Sequence, residues 1–340
     1  MALALLGISG VARAQSGPEE AAAWCMGQDN ASIERQINGC TWIIGSGRYA
    51  ERNVSIAYNN RGNARSEQGD RAGALADYNQ AIRIDPRNAL PYNNRGKLRN
   101  DQGDVDSALA DYNEAIRIDP RYVFAYNNRG NVRHAMNDPA GALADYNEAI
   151  RLDPRYAHAY NGRGNMRSDQ GDRAGAMADY NEAIRVDLRE AEAYNGRGNL
   201  RRAEGNLAAA RADYDAALNI NAREPTILAN RCVNRFRQDD AGAMADCEAA
   251  IAFAAATNGW PHAARAGLHL LQGNPAAAET DLTEALRRAP RNPYARQLRA
   301  ILRAKRGDAA GAAADTQAAR AILARIEDIV IEAFGPAIAR

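Results

Sequence analysis

Five tyrosines, Tyr58, Tyr92, Tyr126, Tyr160 and Tyr194, stand 34 residues apart, and four residues after each comes a glycine: Gly62, Gly96, Gly130, Gly164 and Gly198. A fixed period of this length means a chain built from copies of one small unit. No copy can bury its apolar face alone, so stacked neighbours must share a core. Arg61 carries the period further, through Arg95, Arg129, Arg163, Arg197, Arg231, Arg265 and Arg299. One residue is lost between Arg237 and Cys247 and regained before Arg265. The sequence reads as eight repeats.

Each repeat reads as two helices. In the first, a segment over about 56–68 ends at Gly69, and Asp70 precedes the next helix. Glycine just past a helix end adopts the left-handed conformation, and aspartate before a helix caps its free amides. The pair returns as Gly103-Asp104, Gly171-Asp172, Gly205-Asn206, Gly273-Asn274 and Gly307-Asp308, with Asn137-Asp138 in the third repeat. Second helices close at Asp85-Pro86, Asp119-Pro120 and Asp153-Pro154, because proline cannot continue a helix.

The spacing Tyr58-x2-Arg61-Gly62-x2-Arg65, followed by Ala74-x3-Tyr78, Ala81 and Asp85-Pro86, resembles the tetratricopeptide repeat. The resemblance runs from about Ser55 to Ile322. It implies an all-α, right-handed solenoid of antiparallel helix pairs, with first helices lining a concave groove, and it implies no catalysis. This chain departs from the family at Arg61 and Arg65, where leucine and a large aromatic are usual.

Arg61 and Arg65 are four residues apart and share a helix face. A guanidinium buried there needs a carboxylate. Asp77 is the expected partner, repeated as Asp111, Asp145, Asp179, Asp213, Asp246, Asp281 and Asp315. The pairs Arg61–Asp77, Arg95–Asp111, Arg129–Asp145 and Arg163–Asp179 are expected to form a structural lattice. Arginines free to bind phosphate, sulfate or an acidic polymer are the competing reading, which leaves the Asp column unexplained.

The opposite face, about 160–200° around the helix, carries asparagine. Asn59 recurs as Asn93, Asn127, Asn161 and Asn195, and Asn63 as Asn131, Asn165 and Asn199, with Lys97 in the second repeat. A third row, Asn60, Asn94 and Asn128, gives way to Gly162 and Gly196. Carboxamides donate and accept, which suits the backbone of an extended peptide. These two main rows and Lys97 are therefore the expected groove residues. Amides that only bridge neighbouring helices, or that duplication has copied passively, are the alternative.

Cys25 and Cys40 are 15 apart, as are Cys232 and Cys247. Cys232 replaces the repeat glycine and Cys247 the second-helix tyrosine, so the expectation is two hairpin disulfides, with small buried thiols as the alternative. Residues 1–14 form a short apolar leader ending Ala12-Arg13-Ala14, like a secretory signal cut before Gln15. Export to a periplasmic or extracellular space follows; without a signal the chain would be cytoplasmic. Lysine and arginine total 43 against 42 acidic residues, so nucleic acid is not an expected partner. No apolar run reaches the ~20 residues of a membrane span. The four histidines are scattered, so neither a metal nor a cofactor is expected.

The expected organisation is a leader at 1–14, a worn repeat-like hairpin at 15–54, eight repeats over 55–322, and a C-terminal helix at 323–340 capping the last exposed edge. The expected function is a non-enzymatic scaffold binding a protein or an extended peptide in its groove. The alternatives are an assembly factor recruiting partners by its convex face, and a binder of acidic ligands.

Overall fold

A computed structural model describes residues 17–28 and 30–339; the leader reading at 1–14 and the cut before Gln15 lie outside them. Among the described residues the chain forms nineteen α-helices and no strand. They are α1 (Pro18–Cys25), α2 (Ile33–Ser46), α3 (Glu51–Gln68), α4 (Arg71–Ile84), α5 (Ala89–Asp101), α6 (Val105–Ile118), α7 (Val123–Ala135) and α8 (Pro139–Leu152). Then come α9 (Ala157–Asp169), α10 (Arg173–Val186), α11 (Ala191–Ala203), α12 (Leu207–Ile220), α13 (Pro225–Phe236) and α14 (Ala243–Phe253). The last are α15 (Trp260–Leu271), α16 (Pro275–Arg288), α17 (Pro293–Lys305), α18 (Ala309–Arg320) and α19 (Ile326–Phe334), closed by a 3-10 turn at Pro336–Ala339.

The helices fall into two compact units, residues 1–148 and 149–340. In the first unit α1 pairs with α2, α3 with α4 and α5 with α6, while α3, α5 and α7 neighbour one another in turn. The second unit repeats the scheme from α9/α10 to α17/α18, with α9, α11, α13, α15 and α17 in succession. Within each unit, odd-numbered first helices thus make one layer and even-numbered second helices the other.

Two local devices close each hairpin. Gly69 takes φ +90°, which a side chain would strain, and Asn137 stands in the equivalent place at φ +62°. Asp70 Oδ1 then accepts from Gly73 N at 2.9 Å, capping α4, and Asp104, Asp138, Asp172 and Asp308 do the same for their helices.

The repeat glycine brings the two helices together. A Cβ on Gly62 would fall 2.6 Å from the Tyr78 ring, so the ring takes the space a side chain would need, and Gly130 meets Tyr146 likewise. Ala74 and Ala81 flank Tyr78 with no exposure. Where Cys232 and Cys247 take over the Gly/Tyr positions, their sulfurs lie at bonding distance, 2.02 Å. Those of Cys25 and Cys40 are 2.09 Å apart in the α1/α2 hairpin. A small and a large side chain in contact have been exchanged for two medium ones that bond.

The arginine column lies against the second helix. Arg61 Nε and Nη2 form a fork on Asp77, at 2.9 and 2.7 Å, and Arg65 Nη1 reaches the same carboxylate at 2.8 Å. Asp77 is 2% exposed, and both partly buried guanidiniums reach it from the first helix. The equivalent first arginines reach Asp111, Asp145, Asp179, Asp213, Asp246, Asp281 and Asp315 at 2.6–2.8 Å. In five repeats the second arginine also approaches the capping aspartate, from 3.0 Å at Arg235–Asp240 to 4.0 Å at Arg133–Asp138. In those repeats two guanidiniums face two carboxylates, one buried and one nearer the solvent. In the seventh repeat His262 and His269 join Asp281 instead, at 3.2 and 3.8 Å.

The third nitrogen of four first arginines links to the repeat before. Arg95 Nη1 donates to Asn79 at 2.6 Å, Arg129 to Asn113 at 2.6 Å, Arg197 to Asn181 at 2.8 Å and Arg231 to Asp215 at 2.9 Å. The guanidinium carbon of Arg61 stands 5.3 Å from the Tyr58 ring centroid, a cation–π contact repeated by Arg95 on Tyr92 and Arg129 on Tyr126.

Two outcomes are expected. Asp145→Ala leaves Arg129 and Arg133 buried without their anion and should lower unfolding free energy by roughly 3–5 kcal/mol; chemical denaturation measures it. The unreduced chain in denaturant should show no thiol reactive to a chromogenic disulfide, and reduction should cost about 3 kcal/mol per 15-residue loop. Four titratable thiols before reduction would contradict the bonded pairs.

Candidate functional site

The Asn59 row does not face open solvent. Asn59, Asn93 and Asn127 are 4–5% exposed. Asn94 Nδ2 donates to Asn59 Oδ1 at 2.9 Å, Asn128 Nδ2 to Asn93 Oδ1 at 2.9 Å, and in the second unit Asn230 Nδ2 to Asn195 Oδ1 at 2.8 Å. The carbonyl oxygens of Asn59, Asn93 and Asn195 are thus taken up between first helices, with the third row supplying the donors. The relay stops where the third row is interrupted. In the second unit Asn161 Oδ1 is buried without a partner, and the residue 35 positions on is Gly196. A Cβ at Gly196 would lie 2.5 Å from the Tyr180 ring, so no asparagine fits there.

The Asn63 row is placed otherwise. Asn63, Lys97, Asn131 and Asn165 are exposed and Asn199 is half-buried. The hydroxyl of Tyr78 donates to Asn63 Oδ1 at 2.8 Å, and Tyr146, Tyr180 and Tyr214 do the same to Asn131, Asn165 and Asn199 at 2.7–2.8 Å. Burial, and then the adjoining Asp77 carboxylate, raise the Tyr78 hydroxyl well above the ordinary tyrosine range, which keeps it a donor. Burial pushes Tyr214 up to about 12. With the carboxamide oxygen held in this way, the amide hydrogens of Asn63, Asn131 and Asn165 point to the open side.

Seven residues before this row, two helical turns back and so on the same face, stand Leu90 and Phe124. They are 44% and 51% exposed. The first unit therefore shows Leu90 with Lys97 on α5 and Phe124 with Asn131 on α7. Sequence reasoning passed over these apolar residues because they differ from repeat to repeat; the signal was a constant position with changing chemistry, ending in Trp260 and Tyr294.

In the second unit the same face is partly covered. The helix expected as a C-terminal cap, α19, packs on the first helices α11, α13 and α17, and the closing 3-10 turn packs on α15. Between α19 and the first helices remains a cavity of about 360 Å³, lined by Asn165, Asn195, Asn199, Arg202, Trp260 and Tyr294 among others. Arg202 is 7% exposed, donates to the Asn230 carbonyl at 3.2 Å and keeps an unpartnered Nε. The corresponding positions in the earlier repeats hold Ser66, Asn100, His134 and Ser168, so the break in pattern was visible in the sequence.

Among the described residues no group of His, Cys, Asp and Glu could hold a metal, and no helix is long and apolar enough to cross a membrane. Family models described as TPR repeat match residues 62–100 and 96–137, and models described as tetratricopeptide repeat match 123–156 and 167–225. A solved tetratricopeptide repeat protein from Parabacteroides merdae is similar at 21% identity over 68% of this chain and 91% of that one, TM-score 0.53. The APC/C hetero-tetramer Cut9-Hcn1 contains a chain matched at 15% identity over 88% of this chain, TM-score 0.60; the match spans 59% of that chain. At these identities the likeness is one of fold. No curated protein sequence matches the chain.

The relay predicts unequal costs for identical substitutions. Asn93→Ala strips Asn128 of its acceptor and should cost about 1–2 kcal/mol, whereas Asn161→Ala removes an acceptor already unpartnered and should cost less than half of that. Paired denaturant titrations decide it, and equal losses would show that the relay carries no energy.

Proposed function

This chain is a tetratricopeptide repeat protein, and we propose that it is a non-catalytic scaffold holding a protein segment against the exposed face of its first helices. Tetratricopeptide repeats are in general protein–protein interaction scaffolds. The observation that carries the reading here is the pairing of an exposed apolar side chain with an oriented donor seven residues later: Leu90 with Lys97, Phe124 with Asn131. Amide hydrogens aimed outward meet the carbonyls of an extended chain without selecting its side chains, and the apolar positions add area. The Arg–Asp lattice is scaffold in this reading, since every arginine of its first column already has a carboxylate. Two bonded cysteine pairs suit an oxidising space, so the working place we propose is outside the cytoplasm, periplasmic or extracellular.

A photoreactive benzoylphenylalanine tests the face. Placed at Asn131 it should yield a specific protein adduct in cells, while at Ala76, exposed on the second helix α4, it should yield none. An adduct from Ala76 alone would move the partner to the layer of second helices.

A further inference from the structure

The seat of α19 shows what kind of ligand the second unit accepts. Ile326, Val330 and Phe334, four residues apart along one face of α19, are 0–3% exposed. Phe334 fits because Gly267 stands at the repeat position of Asn63: a Cβ there would lie 2.2 Å from the ring. Trp260, at the position of Leu90 and Phe124, meets the Phe334 ring at 6.5 Å between centroids. α19 thus occupies the two positions that remain open in the first unit.

Arg173, Arg202 and Arg237 bring three cations to the seat, where Asp169 is the carboxylate that α10, α11 and their neighbours supply. Arg173 pairs with the Glu332 carboxylate, and Arg325, at the start of α19, stands 3.6 Å from it. Arg237 Nη1 donates to the Glu332 carbonyl at 2.8 Å and to the Arg202 carbonyl at 3.2 Å, the helix dipole of α19 placing negative charge over it. Without α19, Arg173 loses its carboxylate and Arg237 its helix terminus, beside the buried Arg202. A face meant to be sealed permanently would be apolar, since covering guanidiniums without carboxylates is costly. A face that receives acidic helices needs these charges.

We propose that α19 is a resident, exchangeable ligand of this seat, and that the external partner is an acidic amphipathic helix of the same pattern. That pattern is three apolar side chains at i, i+4 and i+8, the last aromatic, with a carboxylate two residues before it. The proposal rests on the reading that the first-helix face binds proteins, and it narrows the ligand of the second unit from an extended segment to a helix. Only residues 321–325 join α18 to α19, so the resident helix acts at the high effective concentration of a short tether and sets a threshold for any competitor.

The test uses the full chain and a fluorescent synthetic peptide of residues 323–340 as probe, read by anisotropy. Wild type should bind the probe at least tenfold more weakly than Phe334→Asp, whose own helix is dislodged. A probe carrying the same Phe334→Asp change should bind neither chain. Glu332→Arg, at a half-buried position outside the apolar contact, gives a second dislodged chain should Phe334→Asp lose its helical circular dichroism. Failure of both folded variants to bind the probe, or binding by wild type as tight as theirs, overturns the proposal. A wild-type dimer that Phe334→Asp converts to a monomer overturns it too, by giving the seat to the helix of a second copy. The probe reads only the seat of α19. A negative result therefore leaves the Asn131 adduct standing, and loss of that adduct leaves the seat standing.

Discussion

A buried carboxylate gripped by two guanidiniums is the contact on which each hairpin is built. Asp77 and its equivalents sit on second helices at a few per cent exposure. Their partners come from the first helix, four residues apart, so the helix pair can meet in only one rotational setting. A slide by one residue would leave two cations and an anion buried apart, a loss of several kcal/mol. An apolar interface in the same place would tolerate such a slide at smaller cost. The lattice therefore specifies register more than it adds stability, and its third nitrogen carries that register to the neighbouring repeat through Asn79, Asn113, Asn181 and Asp215.

Because arginine holds the register, the core itself can be small. Glycine against tyrosine and alanine against alanine bring helices close without bulky aliphatic residues. Tyrosine performs a second task that phenylalanine cannot: its buried hydroxyl reaches through to the far side of the first helix and orients an asparagine amide there. Packing and presentation are thereby coupled. Lys97 marks the one repeat among the first five where Tyr112 has no such acceptor and the outward group is a cation.

Asparagine serves two purposes that its spacing alone does not separate. The Asn59 row ties neighbouring first helices, while the Asn63 row turns donors outward. Both lie on the side away from arginine, and both recur every 34 residues, so periodicity assigns them to one face. What distinguishes them is which lies between helices and which lies beyond the contact, a matter of how adjacent repeats are rotated. The orphaned oxygen of Asn161 shows the same dependence: nothing is unusual at that residue, only at Gly196, which fails to answer it.

The repeat, the caps at Asp70 and Gly69, and the spacing of Arg61 from Asp77 were determined by sequence alone. Local hydrogen bonds and helical periodicity act over a few turns, and eight copies average away exceptions. The cysteine spacing was legible for the same reason, since a hairpin sets which residues face each other. The position of α19 was decided only by tertiary structure. Its apolar stripe required burial but did not say where, and an end cap and a groove ligand have the same amphipathic pattern. Gly267 and Trp260 on α15, Arg173 on α10, Arg202 on α11 and Arg237 at the end of α13 made the seat. Contacts across such distances along the chain leave no periodic trace, so they had to be read from the fold.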